Sequence, residues 1–267
     1  MQGVIVEPVA NMYSAPSLDA DVVSQATYGT NVGLVEEKGG WLKIRTPDDY
    51  TGWVPASAVL CVTEGQPYAA AGRVAQVESL FAHLYRETDV TKHAPLLTVP
   101  FETRLEVMAE PEASERRWIQ VRLPDAREAW IQRGDVSFNT QPLSIPTTIE
   151  LAKRFLGAPY TWGGTSARGF DCSGYVQMLY RKRGIGIPRD TGPQFRWEGF
   201  VPVARNKLKP GDLIYFGRSE TRISHAGMYI GKGKFIHATT HEHPVVQISK
   251  LKEEHWKKLY VGARRPK

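Results

Sequence analysis

The chain has 267 residues, of which 42% are hydrophobic and 23% are charged, so its composition is that of an ordinary globular protein with room for two or three small domains. The net charge of +6 and the pI near 9.2 suit an anionic partner, although the same charge would also aid solubility. The sequence contains no long basic run, no nucleic-acid-binding motif and no apolar run long enough to span a bilayer. We therefore expect neither nucleic-acid binding nor membrane insertion.

The N-terminus and the cysteines bear on the cellular compartment. Residues 1–8 lack the basic and apolar regions of a signal peptide, which favours the cytoplasm unless a leader was removed. Of the two cysteines, Cys61 ends a short apolar run and is expected in the core, and Cys172 is left as a free thiol. One free reactive thiol in a large chain is typical of a reducing compartment.

An internal repeat organises the N-terminal half. Trp118 and Trp130 repeat the spacing of Trp41 and Trp53, and the residues that follow the first tryptophan of each pair are similar. Alternating apolar strands with turns rich in Gly, Pro and Asp predict two small β-barrels, over residues 1–62 and 68–140. Segments 11–16 and 22–29 of the first copy resemble bacterial SH3-like domains. The second copy resembles them less, and a single elongated β-sandwich is the alternative.

A turn-rich linker over residues 139–146 separates this half from the rest of the chain. Thr147 and Glu150 have the spacing of a capping box, which predicts that a helix begins there. The apolar spacing continues to Leu156, and Gly157 ends the helix. Helices followed by antiparallel strands predict an α+β domain over residues 141–267.

Cys172 follows a glycine-rich turn and directly precedes an apolar helical run that ends at Gly184. A thiol at a helix N-terminus lies near the positive end of the helix dipole, which favours the nucleophilic thiolate. Cys172 is therefore a candidate nucleophile. The alternative is a small buried hydrophobic side chain, which is a common environment for a free cysteine.

His225 and His237 lie in two apolar runs that a Gly-Lys-Gly loop separates, a pattern that predicts a β-hairpin. We expect Ile230 to pair with Lys234. Gly227 would then face His237, and His225 would be its diagonal neighbour on the same face, about 7–8 Å away. A cysteine nucleophile needs a base, and the base needs a group that orients it, which are roles that His225 and His237 fit.

Metal binding is a competing hypothesis at two places. Cys172 with the two histidines of the hairpin leaves the usual four-ligand zinc set incomplete. His241 and His243 lie on a second predicted hairpin tip with no third ligand nearby in the sequence, which favours a solvated loop. We therefore expect no metal and no other cofactor.

Several spaced motifs of the C-terminal half resemble the NlpC family of papain-like bacterial cell-wall cysteine peptidases, over about residues 147–264. The motifs are Asp-Cys-Ser-Gly at 171–174, Pro-Arg-Asp-Thr at 188–191 with Gln194, Lys-Pro-Gly-Asp-Leu-Ile-Tyr-Phe at 209–216, His-Ala-Gly-Met-Tyr-Ile at 225–230 and Phe-Ile-His-Ala at 235–238. The resemblance implies a papain-like domain with Cys172 as nucleophile, His225 as base and His237 as third member. It also implies that Tyr160 and the Cys172 backbone N–H donate hydrogen bonds to the oxyanion.

Family members with N-terminal SH3-like domains cut the bond between γ-D-Glu and the diamino acid of peptidoglycan stem peptides whose L-Ala amine is free. The resemblance implies that Asp171 and Ser173 hold this amine, that Tyr50 of the first SH3-like domain completes the pocket, and that Asp190 and Thr191 line the cleft. The first domain would then close one end of the cleft and exclude peptides still linked to glycan.

Asp171, Tyr50 and Arg189 each have an alternative interpretation. Asp171 would raise the pKa of a neighbouring thiol, and it could instead cap the helix. Tyr50 could be a turn residue that packs on Trp53. Arg189 could meet the carboxylate of D-Glu, but a structural or solvent-facing arginine is the simpler interpretation.

The leading hypothesis is a monomeric cytoplasmic endopeptidase that acts on peptidoglycan-derived peptides during cell-wall recycling. One alternative is an exported hydrolase that cuts intact peptidoglycan and uses the SH3-like domains as wall anchors. A second is a non-catalytic protein that binds wall fragments, and a third is a related amidase or acyl transferase.

Overall fold

The computed structural model describes residues 1–62, 67–109, 116–138 and 141–267, and the chain divides into two compact units, residues 1–140 and 141–267. No helix in the described ranges has the length and hydrophobicity needed to cross a membrane. Each unit has a hydrophobic core of its own.

The first sheet of the N-terminal unit has seven strands in the order β3-β2-β6-β5-β4-β1-β7. The strands are β1 (Gln2–Ile5), β2 (Val9–Tyr13), β3 (Val22–Thr27), β4 (Asn31–Lys38), β5 (Trp41–Arg45), β6 (Thr51–Pro55) and β7 (Val59–Val62). Cys61 lies on the edge strand β7 and is exposed, so its expected core position is wrong. The strand alternates, and Val59 is the residue of β7 that faces the core.

The second sheet repeats this topology, with the order β10-β9-β13-β12-β11-β8-β14. Its strands are β8 (Val74–Val77), β9 (Phe81–Tyr85), β10 (Leu97–Pro100), β11 (Arg104–Ala109), β12 (Trp118–Arg122), β13 (Glu128–Gln132) and β14 (Val136–Ser137). Raising each strand number of the first sheet by seven gives the order of the second. The two halves of this unit are therefore topological duplicates.

The sequence repeat coincides with the structural repeat where the tryptophans lie. Lys43 pairs with Trp53 in the first sheet, and Gln120 pairs with Trp130 in the second. Short 3₁₀ helices follow at equivalent positions, Ala56–Ala58 and Arg133–Asp135. The offset in sequence between the first strands of the two copies, β1 and β8, is smaller than the offset between the two tryptophan pairs. The sequence repeat is therefore visible in only part of each copy.

Tyr68 joins the two sheets of this unit. Its backbone N–H donates to the Asn31 side chain at 2.9 Å, and its hydroxyl donates to the Arg122 carbonyl at 2.6 Å. Tyr28 of the first copy packs into the core of the second. The two sheets therefore form one compact unit.

The C-terminal unit combines helices with a six-stranded antiparallel sheet of order β17-β22-β18-β19-β20-β21, which is the predicted α+β arrangement. The helices are α1 (Ile145–Lys153), α2 (Cys172–Lys182), α3 (Thr191–Arg196) and α4 (Glu254–Leu259). The strands are β15 (Thr165–Ser166) and β16 (Gly169–Phe170), which form a small hairpin, and then β17 (Phe200–Val203), β18 (Leu213–Ser219), β19 (Arg222–Gly231), β20 (Lys234–Thr239), β21 (Val245–Lys250) and β22 (Tyr260–Pro266). Helix α2 packs against β19 and β20.

Helix α1 begins three residues earlier than the capping box predicts. Ser144 is the N-cap, and its hydroxyl accepts from the Thr147 backbone N–H at 3.4 Å. Pro146 lies in the first turn, where a missing N–H costs no helical hydrogen bond. The serine and the proline together therefore shift the start of the helix.

Glycines allow the start of α2 to pack closely against the preceding turn. A Cβ added to Gly174 would lie 2.2 Å from the Gly164 carbonyl oxygen, and a Cβ on Gly164 would lie 2.4 Å from the Gly169 carbonyl oxygen. These contacts explain the glycines on both sides of Cys172.

We predict that Gly174→Ala lowers the free energy of unfolding by about 1–3 kcal/mol, because the new methyl group overlaps backbone that cannot easily move. Urea unfolding of the full chain measures the change. Gly186→Ala is the matched control, since a Cβ there meets open space, and its effect should stay within about 1 kcal/mol. A stabilised Gly174→Ala protein, as helix propensity alone would give, would contradict the packing argument.

Candidate active site

Cys172 is the first residue of α2 and is buried, with 7% of its surface exposed. Asp171 caps this helix, and its carboxylate accepts the Gly174 backbone N–H at 2.7 Å. The backbone N–H of Ala226, one residue after His225 on β19, also donates to the sulfur. The helix and the strand therefore meet at the thiol, as the proposed nucleophile and base require.

Burial raises the pKa of the Cys172 thiol to about 12, and the Asp171 carboxylate adds to the rise. The Ala226 and Ser173 backbone N–H groups and the Arg189 guanidinium lower the pKa by less. Burial therefore opposes the thiolate form that the helix N-terminus favours. Loss of water around the sulfur outweighs the helix dipole.

His225 on β19 and His237 on β20 are joined by a hydrogen bond of 2.7 Å between His225 Nε2 and His237 Nδ1. The register pairs Met228 with Ile236, which places Gly227 opposite His237 as expected. The two imidazoles therefore lie on one face of the hairpin.

The turn of this hairpin differs from the expectation by one residue. Gly231, not Ile230, pairs with Lys234, and Ile230 is the extra residue of a bulge. The loop is Lys232 and Gly233, with φ of 51° and 70°, the positive values that a type I′ turn needs. The bulge lies beyond the histidines, so their register is unaffected.

An aromatic cluster surrounds the two imidazoles. The Trp256 ring of α4 stacks on His225 at 5.1 Å and meets the edge of His237 at 4.8 Å, and Phe235 lies 4.5 Å from His237. Burial in this cluster lowers the pKa of His225 to about 3 and holds that of His237 well below its usual value. Both rings are therefore neutral at pH 7, and His225 can accept a proton.

Ser249 extends the line of hydrogen bonds. Its hydroxyl lies 3.1 Å from His237 Nε2, it is 8% exposed, and it lies on β21 beside β20. Sequence reasoning did not find Ser249 or Trp256. A serine in a strand and a tryptophan in a charged helix carry no motif, and only the packing reveals their contacts.

Asp171 and Ser173, the predicted amine-binding pair, belong to a buried network with Arg189. The guanidinium donates to both oxygens of the Asp171 carboxylate, at 3.1 and 2.5 Å, and to the Ser173 hydroxyl at 2.8 Å. Arg189 is only 3% exposed, so it is a structural arginine and does not face solvent. Gln194 Nε2 donates to the Ser173 carbonyl and helps to hold this network at the start of α2.

Tyr160, the predicted oxyanion donor, precedes the β15–β16 hairpin and is partly buried. Burial raises the pKa of its hydroxyl, and the nearby Cys172 and Asp171 add to the rise. The hydroxyl therefore stays protonated and can donate a hydrogen bond.

The remaining predicted binding residues are Asp190, Thr191 and Tyr50. Asp190 is exposed and precedes α3, and the hydroxyl of Thr191 lies 3.5 Å from the Ile223 carbonyl, beyond a good hydrogen bond. Tyr50 belongs to the N-terminal unit, where it is half-buried against the core of the first sheet. A binding role for Asp190, Thr191 and Tyr50 stays a prediction.

His241 stacks on His255 of α4, with ring centroids 3.7 Å apart and planes at 7°. His241 is partly buried and His243 is exposed. Within the described ranges, no three His, Cys, Asp or Glu side chains are grouped as a metal site requires.

Three comparisons relate the chain to known proteins. The model of the NlpC/P60 family matches residues 157–265, and that of the bacterial SH3 domain matches residues 8–59. A Bacillus cereus protein named gamma-D-glutamyl-L-lysine dipeptidyl-peptidase is 36% identical over 91% of this chain and 74% of its own, and the Bacillus subtilis protein of that name is 28% identical over 82% and 73%. The crystal structure of a Bacillus cereus NlpC/P60 family protein is similar over 100% of this chain and 99% of its own, with 30% identity and a TM-score of 0.85.

We predict that Arg189→Met lowers the free energy of unfolding by about 3–5 kcal/mol, because it leaves the Asp171 carboxylate buried without its partner. The change should also slow alkylation of Cys172 by iodoacetamide at fixed pH, since Asp171 then raises the thiol pKa further. Arg168→Met is the control, because Arg168 is exposed. Equal stability of the two variants would show that the ion pair is not needed.

Proposed function

Because the chain belongs to the NlpC/P60 family and is a cysteine peptidase, we propose that it hydrolyses the bond between γ-D-Glu and the L-diamino acid of peptidoglycan stem peptides with a free N-terminal L-Ala. The hydrogen-bonded pair of His225 and His237 beside the buried Cys172 carries the proposal. The relatives named dipeptidyl-peptidase support the free amine, since such an enzyme removes two residues from an unblocked N-terminus.

In the proposed mechanism, His225 Nδ1 takes the proton of the Cys172 thiol, and the sulfur attacks the γ-carbonyl carbon of D-Glu. The Cys172 backbone N–H and the protonated Tyr160 hydroxyl stabilise the oxyanion. The His225 imidazolium then gives its proton to the leaving amine, and water hydrolyses the thioester. Thiol and imidazole are both neutral before substrate binds, so no buried charge is created until the attack.

The line from His225 to Ser249 selects the tautomer that this mechanism needs. If His225 Nδ1 is to accept the thiol proton, its Nε2 must carry the hydrogen and donate to His237 Nδ1. His237 then carries its hydrogen on Nε2, and Ser249 accepts it. In the opposite tautomers, His237 Nδ1 carries a hydrogen and donates to His225 Nε2. Protonation of His225 would then place two N–H groups face to face across the 2.7 Å contact. Ser249 is thus proposed as a positioning residue that acts through His237.

The proposed amine pocket needs a carboxylate that a bound peptide can reach from solvent. Asp171 already accepts hydrogen bonds from Arg189, Ser173 and Gly174, which leaves it little capacity for another donor. Asp190 is exposed, and we propose that it provides the main charge for the L-Ala amine. Tyr50 would complete this pocket, with Asp171 and Ser173 in support and Thr191 in the cleft.

We also propose three domains, at residues 1–62, 68–140 and 141–267, with both N-terminal domains as SH3-like barrels. The family match supports the first, and the repeated strand order supports the second. Residues 63–66 and 139–140 lie outside the described residues. Recycling of wall peptides, a monomeric state and a cytoplasmic location stay predictions, which product analysis, sedimentation and cell fractionation would test.

We predict that the enzyme releases L-Ala-D-Glu from L-Ala-γ-D-Glu-diaminopimelate or its lysine counterpart, as measured by mass spectrometry, and that Cys172→Ala abolishes release. N-acetylation of L-Ala should lower kcat/KM at least tenfold, because a charged hydrogen bond is lost. Tyr50→Phe should lower activity on the free peptide only. Equal rates on free and acetylated peptides would refute the amine requirement, and activity on intact sacculi would favour an exported hydrolase.

We predict that Ser249→Ala lowers kcat roughly 3- to 10-fold with KM unchanged, which corresponds to the loss of one hydrogen bond. Ser249→Thr, which keeps the hydroxyl, should recover most of the rate. Nitrogen-15 NMR of labelled histidine should show mixed tautomers at His237 in the alanine variant. A single tautomer with an unchanged kcat would refute the role of Ser249 while leaving the peptidase assignment intact.

A further inference from the structure

The charge of the chain is strongly divided between its two units. Residues 141–267 contain 22 Lys and Arg but nine Asp and Glu, a net charge of +13, whereas residues 1–140 contain 12 and 19, a net charge of −7. The overall +6 therefore hides a strongly basic C-terminal unit. Such an asymmetry points to an anionic partner for this unit.

Five of the 22 cationic residues of this unit line one cavity of about 430 Å³, here called the lysine pocket. Its uncharged lining is formed by Leu208, Tyr229, Gly233 and Leu251. The charged residues that line it are Arg205, Lys232, Lys234, Lys250 and Lys252. The pocket lies at the turn of the β19–β20 hairpin, six residues along β19 from His225, or about 20 Å. It is therefore separate from the catalytic residues.

Two of these lysines face each other directly. Lys234 on β20 pairs with Lys250 on β21 in the sheet register. Like charges at directly opposed positions destabilise a sheet. The arrangement therefore costs stability, and a bound anion would remove that cost.

Three acidic residues of this unit form ion pairs with cations outside the pocket. Asp171 pairs with Arg189 and Asp212 with Arg265, and Glu254 pairs with Lys258. Glu253 lies at the rim of the pocket, where its carboxylate accepts the Lys250 backbone N–H at 3.0 Å. No described carboxylate forms an ion pair with the four lysine ammonium groups of the pocket.

We propose that the lysine pocket binds a soluble anion that carries two or more phosphate groups. Lysine ammonium groups bind phosphate as compact point charges, whereas planar carboxylates are matched by the fork of a guanidinium. Four of the five cations are lysines, and the guanidinium of Arg205 already donates to the Leu251 carbonyl and stacks on Tyr260. The chemistry of the pocket thus favours closely spaced phosphates over a single carboxylate.

Titration calorimetry of the full chain with tripolyphosphate, at a constant ionic strength of about 0.15 M, tests the proposal. We expect saturable binding that Lys234→Gln with Lys250→Gln weakens about tenfold or more. Lys257→Gln with Lys267→Gln is the matched control, because it removes the same charge from the same unit outside the pocket. It should change the dissociation constant less than twofold.

A second measurement uses the stability cost of the facing lysines. Without anion, Lys234→Gln with Lys250→Gln should raise the Tm by roughly 1–4 °C, because a like-charge pair is removed. Tripolyphosphate at a fixed concentration should raise the Tm of the unchanged protein and of the control by more than it raises the Tm of this variant.

Three results would overturn the proposal. Absence of saturable binding would remove the site, and equal weakening in both double variants would show that only the overall charge matters. Citrate binding as tightly as tripolyphosphate would refute the preference for phosphate. Hydrolysis of short wall peptides should be the same in both double variants, so these results are independent of the peptidase proposal.

Discussion

The hydrogen bond between His225 and His237 ties the chemistry of the site to the register of two strands. Gly227 makes this geometry possible, because a Cβ there would lie 3.1 Å from that of His237 and 2.8 Å from the Phe235 ring. A slip of one residue between β19 and β20 would turn one imidazole to the opposite face. The bulge at Ile230 absorbs the irregularity near the turn, so the part of the hairpin that carries the two histidines keeps regular pairing.

Burial keeps the Cys172 thiol and the imidazoles of His225 and His237 in their neutral forms at rest. The aromatic rings around the histidines remove water from them, and α2 and β19 do the same for the thiol. An acidic residue beside the proposed nucleophile is tolerated because Arg189 neutralises Asp171 within the same buried network. That pair also fixes Ser173 and the first turn of α2, so the carboxylate serves the geometry of the helix start.

The sequence predicted features that depend on local spacing. The repeated tryptophan pairs predicted that the segments that form β5 and β6 correspond to those that form β12 and β13. Glycines indicated the hairpin and the turn before α2. Features that depend on distant contacts were missed. The pairing of Arg189 with Asp171, the packing of Trp256 and the contact of Ser249 join segments far apart in the chain. The resting form of the thiol could not be read from the sequence for the same reason, because the helix dipole is a local effect and burial depends on distant packing.

The duplicated turn of the N-terminal unit allows one side chain to differ between the two copies without loss of fold. Tyr50 and Arg127 occupy equivalent positions, and both carbonyls accept a backbone N–H, from Thr46 at 2.9 Å and from Leu123 at 2.8 Å. The preceding residues, 49 and 126, have almost equal positive φ of 64° and 65°. The backbone therefore holds the turn in both copies and leaves the side chain free to differ. Arg127 is engaged by the Asp125 carboxylate at 2.8 Å, so a phenol at this turn occurs only in the first copy, where the proposed amine pocket requires it.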